Sequence, residues 1–133
     1  RRWAAGVVAC FVDSDSGDPC FLLGEERRRD GAYNVFWGFG ELSEVLPTVT
    51  AARECAEETL GLLGSAEELA AALHGSLSLD GAGALFAVHL GTQSASVLIE
   101  EYARRRRLWE SAVQSLRVLA PRNRPPGGDV MEK

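Results

Sequence analysis

Ala51-Ala52-Arg53-Glu54-Cys55-Ala56-Glu57-Glu58 is the stretch on which the reading of this chain turns. Residues three and four apart share a helix face, so a helix here crowds Glu54, Glu57 and Glu58 onto one stripe. Like charges at that spacing repel and add nothing to helix stability. A bound divalent cation resolves the conflict, because hard cations prefer carboxylate oxygens. Arg53 stands beside Glu54 and four residues before Glu57, where a guanidinium can hold a carboxylate. Ala52, Cys55, Ala56 and Leu60 form the opposite face, small and apolar, suited to packing on a sheet. An acidic stripe is ordinarily no more than a solvated helix face, so its context has to decide.

Upstream, Val35-Phe36-Trp37-Gly38-Phe39-Gly40-Glu41 is a strand-like apolar run that breaks into glycines, and Pro47 suits the first position of a helix. The order is therefore strand, glycine turn, loop, acidic helix, the helix running from Pro47 to about Leu60 with Gly61 as its stop. Further upstream, Trp3 to Val12 and Cys20 to Gly24 read as strands around a turn at Asp13–Pro19, and pair as a hairpin. Glu25 to Gly31 is a charged connection. Downstream, Ser65-Ala66-Glu67-Glu68 has the form of a capping box and opens a short helix through about Leu73. Ala84 to Leu90 is a buried strand by its unbroken apolar character, with a turn from Ser78 to Gly83 before it and Leu77 and Leu79 ending another strand. A long helix is expected from Ser94 or Ser96 to about Leu116, and Pro121 to Gly128 reads as a loop.

With these residues in view, the chain resembles the Nudix hydrolases. Their signature is a glycine, five residues, a glutamate, seven residues, Arg-Glu-apolar-x-Glu-Glu, then a glycine and an apolar residue. Arg53 to Glu58 matches its core, Gly61-Leu62 its end, and Gly38 with Glu44 its start. Two spacers are one residue long: eight residues separate Glu44 from Arg53, and Thr59 and Leu60 separate Glu58 from Gly61. The resemblance implies an α/β fold, a Nudix-type α/β/α sandwich with a mixed β-sheet. The chain 1–133 reads as a single domain of that kind, truncated or continued at its C-terminus, where Val130-Met131-Glu132-Lys133 starts like a further strand.

The implied activity is Mg²⁺-dependent hydrolysis of a diphosphate linkage in a nucleoside-diphosphate-type substrate: a nucleotide, a dinucleoside polyphosphate or an RNA 5′ end. Mn²⁺ is the alternative metal. Carried over by position, Glu57 and Glu58 are the main metal ligands, Glu54 a further ligand or the base, and Arg53 the group that orients Glu54. A carbonyl of the glycine turn at Gly38 completes the shell. Arg53, Glu54 and Glu57 are thus the catalytic candidates. Gly40, Arg27, Arg29 and Trp37 are candidates for substrate contact. Asp80, Glu100 and Glu101 are weaker candidates for an additional base outside the signature. The alternative reading is a Nudix-like domain that binds nucleotide or RNA, or scaffolds a complex, without turnover. A homodimer or a complex subunit is the assembly the resemblance suggests.

Composition narrows the rest. At 133 residues and 46% hydrophobic, the chain can bury one sizeable core. A net charge of −5 argues against general nucleic-acid affinity. No apolar run is long enough to span a membrane. Cys10, Cys20 and Cys55 include no C-x-x-C pair, so a structural zinc site is not expected, and a reducing, intracellular (by default cytoplasmic) setting is. The start without methionine suggests a processed chain and leaves an organellar location as the alternative. His89 reads as structural or pocket-lining, His74 as a solvent-facing helix residue, and Arg104 to Arg107 as a helical turn with at least one arginine facing the protein.

Overall fold

The computed structural model of the protein describes residues 3–26, 32–79 and 83–119. It is a mixed α/β fold. The central strand β1 (Ala4–Asp13) has Ala5, Val7, Ala9 and Phe11 buried on alternate positions, as a strand with one face against a core requires. Along one edge β1 pairs antiparallel with two strands in succession: β2 (Pro19–Leu22) through its second half and β5 (Phe36–Phe39) through its first half. Along the other edge it pairs parallel with β7 (Gly83–Gln93), and β7 pairs antiparallel with β6 (His74–Leu79). A separate two-stranded ribbon, β3 (Gly24–Glu26) and β4 (Ala32–Asn34), extends from the edge between β2 and β5.

Two helices close the buried face. Ala51, Ala52 and Cys55 of α1 (Pro47–Glu58) and Leu69 of α2 (Ala66–Ala72) share one core with Ala5, Val7, Ala9, Phe36 and Val88. The small side chains on both sides let α1 sit close to the sheet. Both helices of this layer lie on the same face. The third helix, α3 (Ala95–Leu119), is tied at its start, where Ala95 N donates to Asp13 Oδ1 at 3.1 Å, and farther along, where Arg105 Nη1 donates to Leu60 O at 2.9 Å. Among the described residues no helix packs closely on the opposite face, where Val8, Cys10, Trp37, Leu85 and Ala87 are half-buried. The expected three-layer sandwich is therefore seen as two layers in the described part.

Several local expectations change. The second strand splits: Leu23 breaks it, and Glu25 and Glu26 of the charged connection belong to the ribbon. His74 opens β6 instead of ending a helix, because α2 stops at Ala72. The acidic helix ends at Glu58, two residues short of Leu60. The chain then makes a Schellman turn, with Gly61 N donating to Ala56 O at 2.9 Å and Leu60 N to Glu57 O at 3.2 Å. Leu60 takes the left-handed position of that turn, φ 56°, where glycine is the usual residue. The extra residue between Glu58 and Gly61 thus has a structural counterpart: the glycine arrives one place late. Arg27, Arg29, Asp80 and the tail from Pro121 lie outside the described residues.

Candidate functional site

The site is built where the end of β5 faces the middle of α1. Its hub is Arg53. The guanidinium grips Glu44 with two bonds, Nε to Oε2 at 2.7 Å and Nη2 to Oε1 at 3.1 Å. Nη1 donates to Glu54 Oε1 at 3.0 Å and reaches the Glu57 carboxylate at 3.3 Å, while Nη2 also donates to the Phe39 carbonyl at 2.9 Å. Glu41 adds a looser ion pair at 3.8 Å. Four carboxylates on one guanidinium leave a surplus of negative charge, which raises the Arg53 pKa above its ordinary value, with the Glu44 hydrogen bond as the main cause.

Glu44 is the most firmly held member. Besides Arg53 it accepts from Thr50 Oγ1 at 2.9 Å and from its own loop, Glu41 N, at 2.9 Å. The Arg53 hydrogen bond is the largest influence and takes its pKa down to about 2, against the opposing effect of burial. A carboxylate accepting this many donors remains charged across the neutral range. Sequence reasoning gave Arg53 the task of orienting Glu54. The structure gives its bidentate bond to Glu44 and only one donor to Glu54, so Glu44 is the residue that reading undervalued. The signal was present in the signature's glutamate but was weakened by the eight-residue spacer.

Glu54 lies over the glycine turn. A Cβ added at Gly38 would fall on the Glu54 carboxyl, 2.5 Å from either oxygen, so a glycine at 38 is what lets this carboxylate occupy its place. The acidic stripe is not a solvated face. Glu54 and Glu58 are 8% and 6% exposed, and the Glu57 side chain, 48% exposed, reaches toward solvent while paired with Arg53. Cys55, between them on the core side, has its thiol pushed up to about 12 by burial first and by Glu58 second, so it carries no thiolate at neutral pH.

The oxygen-only donor set of Glu54, Glu57, Glu58 and the Gly38 carbonyl suits Mg²⁺ or Mn²⁺ in kind. In the geometry seen here Arg53 stands between Glu54 and Glu57, and among the described residues no three His, Cys, Asp or Glu side chains converge as a metal-holding group.

The other candidates divide. Gly40 is pressed against the Trp3 indole and donates its N–H to Trp3 O at 2.9 Å, a packing role. Trp37 faces the other side of the sheet from Gly38 by strand alternation, over Gly6, where an added Cβ would meet the Trp37 Cβ. It does not join the acidic cluster. Glu101 is held by Arg104 and Arg105, which take its pKa down to about 2, and Glu100 lies beside it on α3. A carboxylate held charged in that way is poorly suited to act as a base at neutral pH. Of the arginine run, Arg105 caps the carbonyl of Leu60 and Arg106 pairs with Glu110 at 2.9 Å. No family model matches the chain, and no curated protein matches it.

Proposed function

We propose that this protein is a Nudix-type pyrophosphohydrolase, dependent on Mg²⁺ and acting on a nucleoside-diphosphate-type substrate. The observation that carries the reading is the Arg53 hub: one guanidinium clamps Glu44, touches Glu54 and Glu57, and holds the end of β5 through the Phe39 carbonyl, with Glu54 laid on Gly38. A stabilising motif on a helix surface would not bury two carboxylates of a repelling stripe. In this reading Glu57 and Glu58 hold the metal and Glu54 serves as the base. A bound Mg²⁺ would supply a positive charge for the diphosphate and lower the pKa of a coordinated water. Glu57, the exposed member, can leave Arg53 by a change of rotamer. The attacking water forms a new P–O bond, the anhydride P–O bond breaks, and the water's proton passes to Glu54. Arg53 and Glu44 act by fixing the helix against the turn, so that Glu54 meets the reacting centre in one orientation.

The position of Arg53 between Glu54 and Glu57 supports a second reading, a domain that binds nucleotide or an RNA 5′ end without turnover. One assay separates them. Phosphate-product release is measured over a panel of nucleotides, dinucleoside polyphosphates and 5′-triphosphate RNA, with and without Mg²⁺. Turnover that needs Mg²⁺ and falls at least a hundredfold in Glu57→Gln and Glu58→Gln is expected, of the size that loss of a group acting in the transition state produces. No turnover on any substrate, with metal affinity unchanged in both variants, sinks the enzymatic reading.

A further inference from the structure

A cavity of about 570 Å³ opens between the β3–β4 ribbon, the turn that follows α1, and α3. Its volume lies within the range of roughly 300–1,000 Å³ typical of small-molecule sites. Three aromatic rings border it: Tyr33 from β4, Phe36 from β5 and Tyr102 from α3. Leu22 and Leu98 add apolar surface to its lining. The charged residues are few and opposed in sign, Glu25 and Arg106, while the buried Thr59 hydroxyl donates to the Cys55 carbonyl at 2.7 Å. Tyr33, Leu23 and Ile99 all line this space and are all exposed. Folding alone gives no reason to gather exposed apolar side chains around a concavity, and such a patch marks a binding surface.

We infer that this cavity binds the planar nitrogen heterocycle of the substrate, the base of a nucleoside. The phosphates are disfavoured by its apolar walls and by the carboxylate of Glu25, the charge of Arg106 being already paired with Glu110. The exposed Tyr33 ring offers a stacking face, and Glu25 and Arg106 supply an acceptor and donors for the edge of a ring. Arg106 is held by Glu110 and by the Tyr102 hydroxyl, so its guanidinium is fixed before a ligand arrives. The location suits a two-part substrate. Thr59 lines the cavity and directly follows Glu58, and Phe36 lines it two residues before Gly38 in the same strand. The cavity and the acidic cluster thus draw on the same two elements, α1 with the turn that follows it and β5. The choice of a nucleoside base rests on the pyrophosphohydrolase reading, while occupancy of the cavity is tested without it.

The test uses adenosine, guanosine, cytidine and uridine, which carry no phosphate and need no metal. Binding is followed by ¹⁵N chemical-shift changes and calorimetry on the intact chain. At least one nucleoside is expected to bind saturably, with shifts concentrated at Tyr33, Leu98 and Tyr102. Tyr33→Ala, at an exposed position, weakens it roughly tenfold, as loss of one base-stacking ring does. Leu98→Trp, which fills the space, abolishes it. Failure of all four nucleosides to bind, or shifts that map elsewhere, overturns the inference, as does affinity unchanged in Tyr33→Ala. Should Leu98→Trp fail to fold, Tyr33→Ala and the shift map decide. Glu57→Gln leaves nucleoside affinity unchanged in this scheme. Absence of Mg²⁺-dependent turnover in the wild type, with nucleoside binding retained, would count against the metal site alone.

Discussion

A single arginine sets the character of the site. Four carboxylates converge on Arg53, yet it meets them unequally, with two short bonds to Glu44 and one donor to each of the helix glutamates it touches. Glu44 is buried, so removing its charge strands part of the guanidinium in a poorly hydrated place. Glu44→Gln is expected to cost about 3 kcal/mol, in the range for breaking a buried pair by neutralising one partner. The pH dependence follows from the same contact. The folded pKa of Glu44 is depressed, from an ordinary value of 4.5 to about 2, under the influence of Arg53 and in the company of Glu41, Glu54 and Glu57. Its contribution is therefore fully present above pH 4.5 and is lost as the pH falls toward 2. Urea unfolding from pH 6 down to pH 2.5 should show stability falling through that window, and a shallower fall in Glu44→Gln. An equal slope in both proteins would contradict the assignment.

The elements show what could be read from the chain in advance and what could not. The capping box at Ser65 and Glu68 was legible and is present in both directions, Glu68 N to Ser65 Oγ and Ser65 N to Glu68 Oε1, because four residues contain the whole device. The acidic helix was legible in its start, Pro47, and in its core face of Ala52 and Cys55. Its end was not. A glycine stop was expected at Gly61, but a Schellman turn is defined by hydrogen bonds, and those bonds place Leu60 in the left-handed position with the glycine after it. The burial of Glu54 and Glu58 was not legible either, since period alone cannot tell a solvated face from one closed over by a glycine turn. Leu60 provides a direct check. Leu60→Ala and Leu60→Gly both discard the leucine side chain, but only glycine adopts a positive φ without steric cost. Leu60→Gly should be more stable than Leu60→Ala by roughly 1 kcal/mol in chemical unfolding, the reverse of the order inside a helix. If alanine is equal or better, the turn is not as described.

For the molecule as a whole, charge and layering act together. The strand order places β1 at the centre with β5 and β2 sharing one edge, and that edge is where the acidic hub and the aromatic cavity both lie. Neither the shared edge nor the cavity could be read from the sequence, because each depends on residues far apart: Tyr33, Thr59 and Tyr102 carry no common motif. Carboxylates brought together by folding repel in the native state and are spread apart in the unfolded chain, so an ion that binds the cluster stabilises the fold by linkage. At a hundred times its dissociation constant a ligand specific for the native state adds about 2.7 kcal/mol. Mg²⁺ should therefore raise the melting temperature in a saturable way. Simple screening does the same to a lesser extent, since a net charge of −5 is relieved by any salt. The comparison that matters is Mg²⁺ against NaCl at matched ionic strength, in the wild type and in Glu57→Gln/Glu58→Gln. The expected result is a larger, saturable rise with Mg²⁺ that the double variant loses while keeping the NaCl response. Equal responses to the two salts in the wild type would mean that the cluster feels ionic strength alone, and the carboxylates would then have to be read as a structural network organised by Arg53.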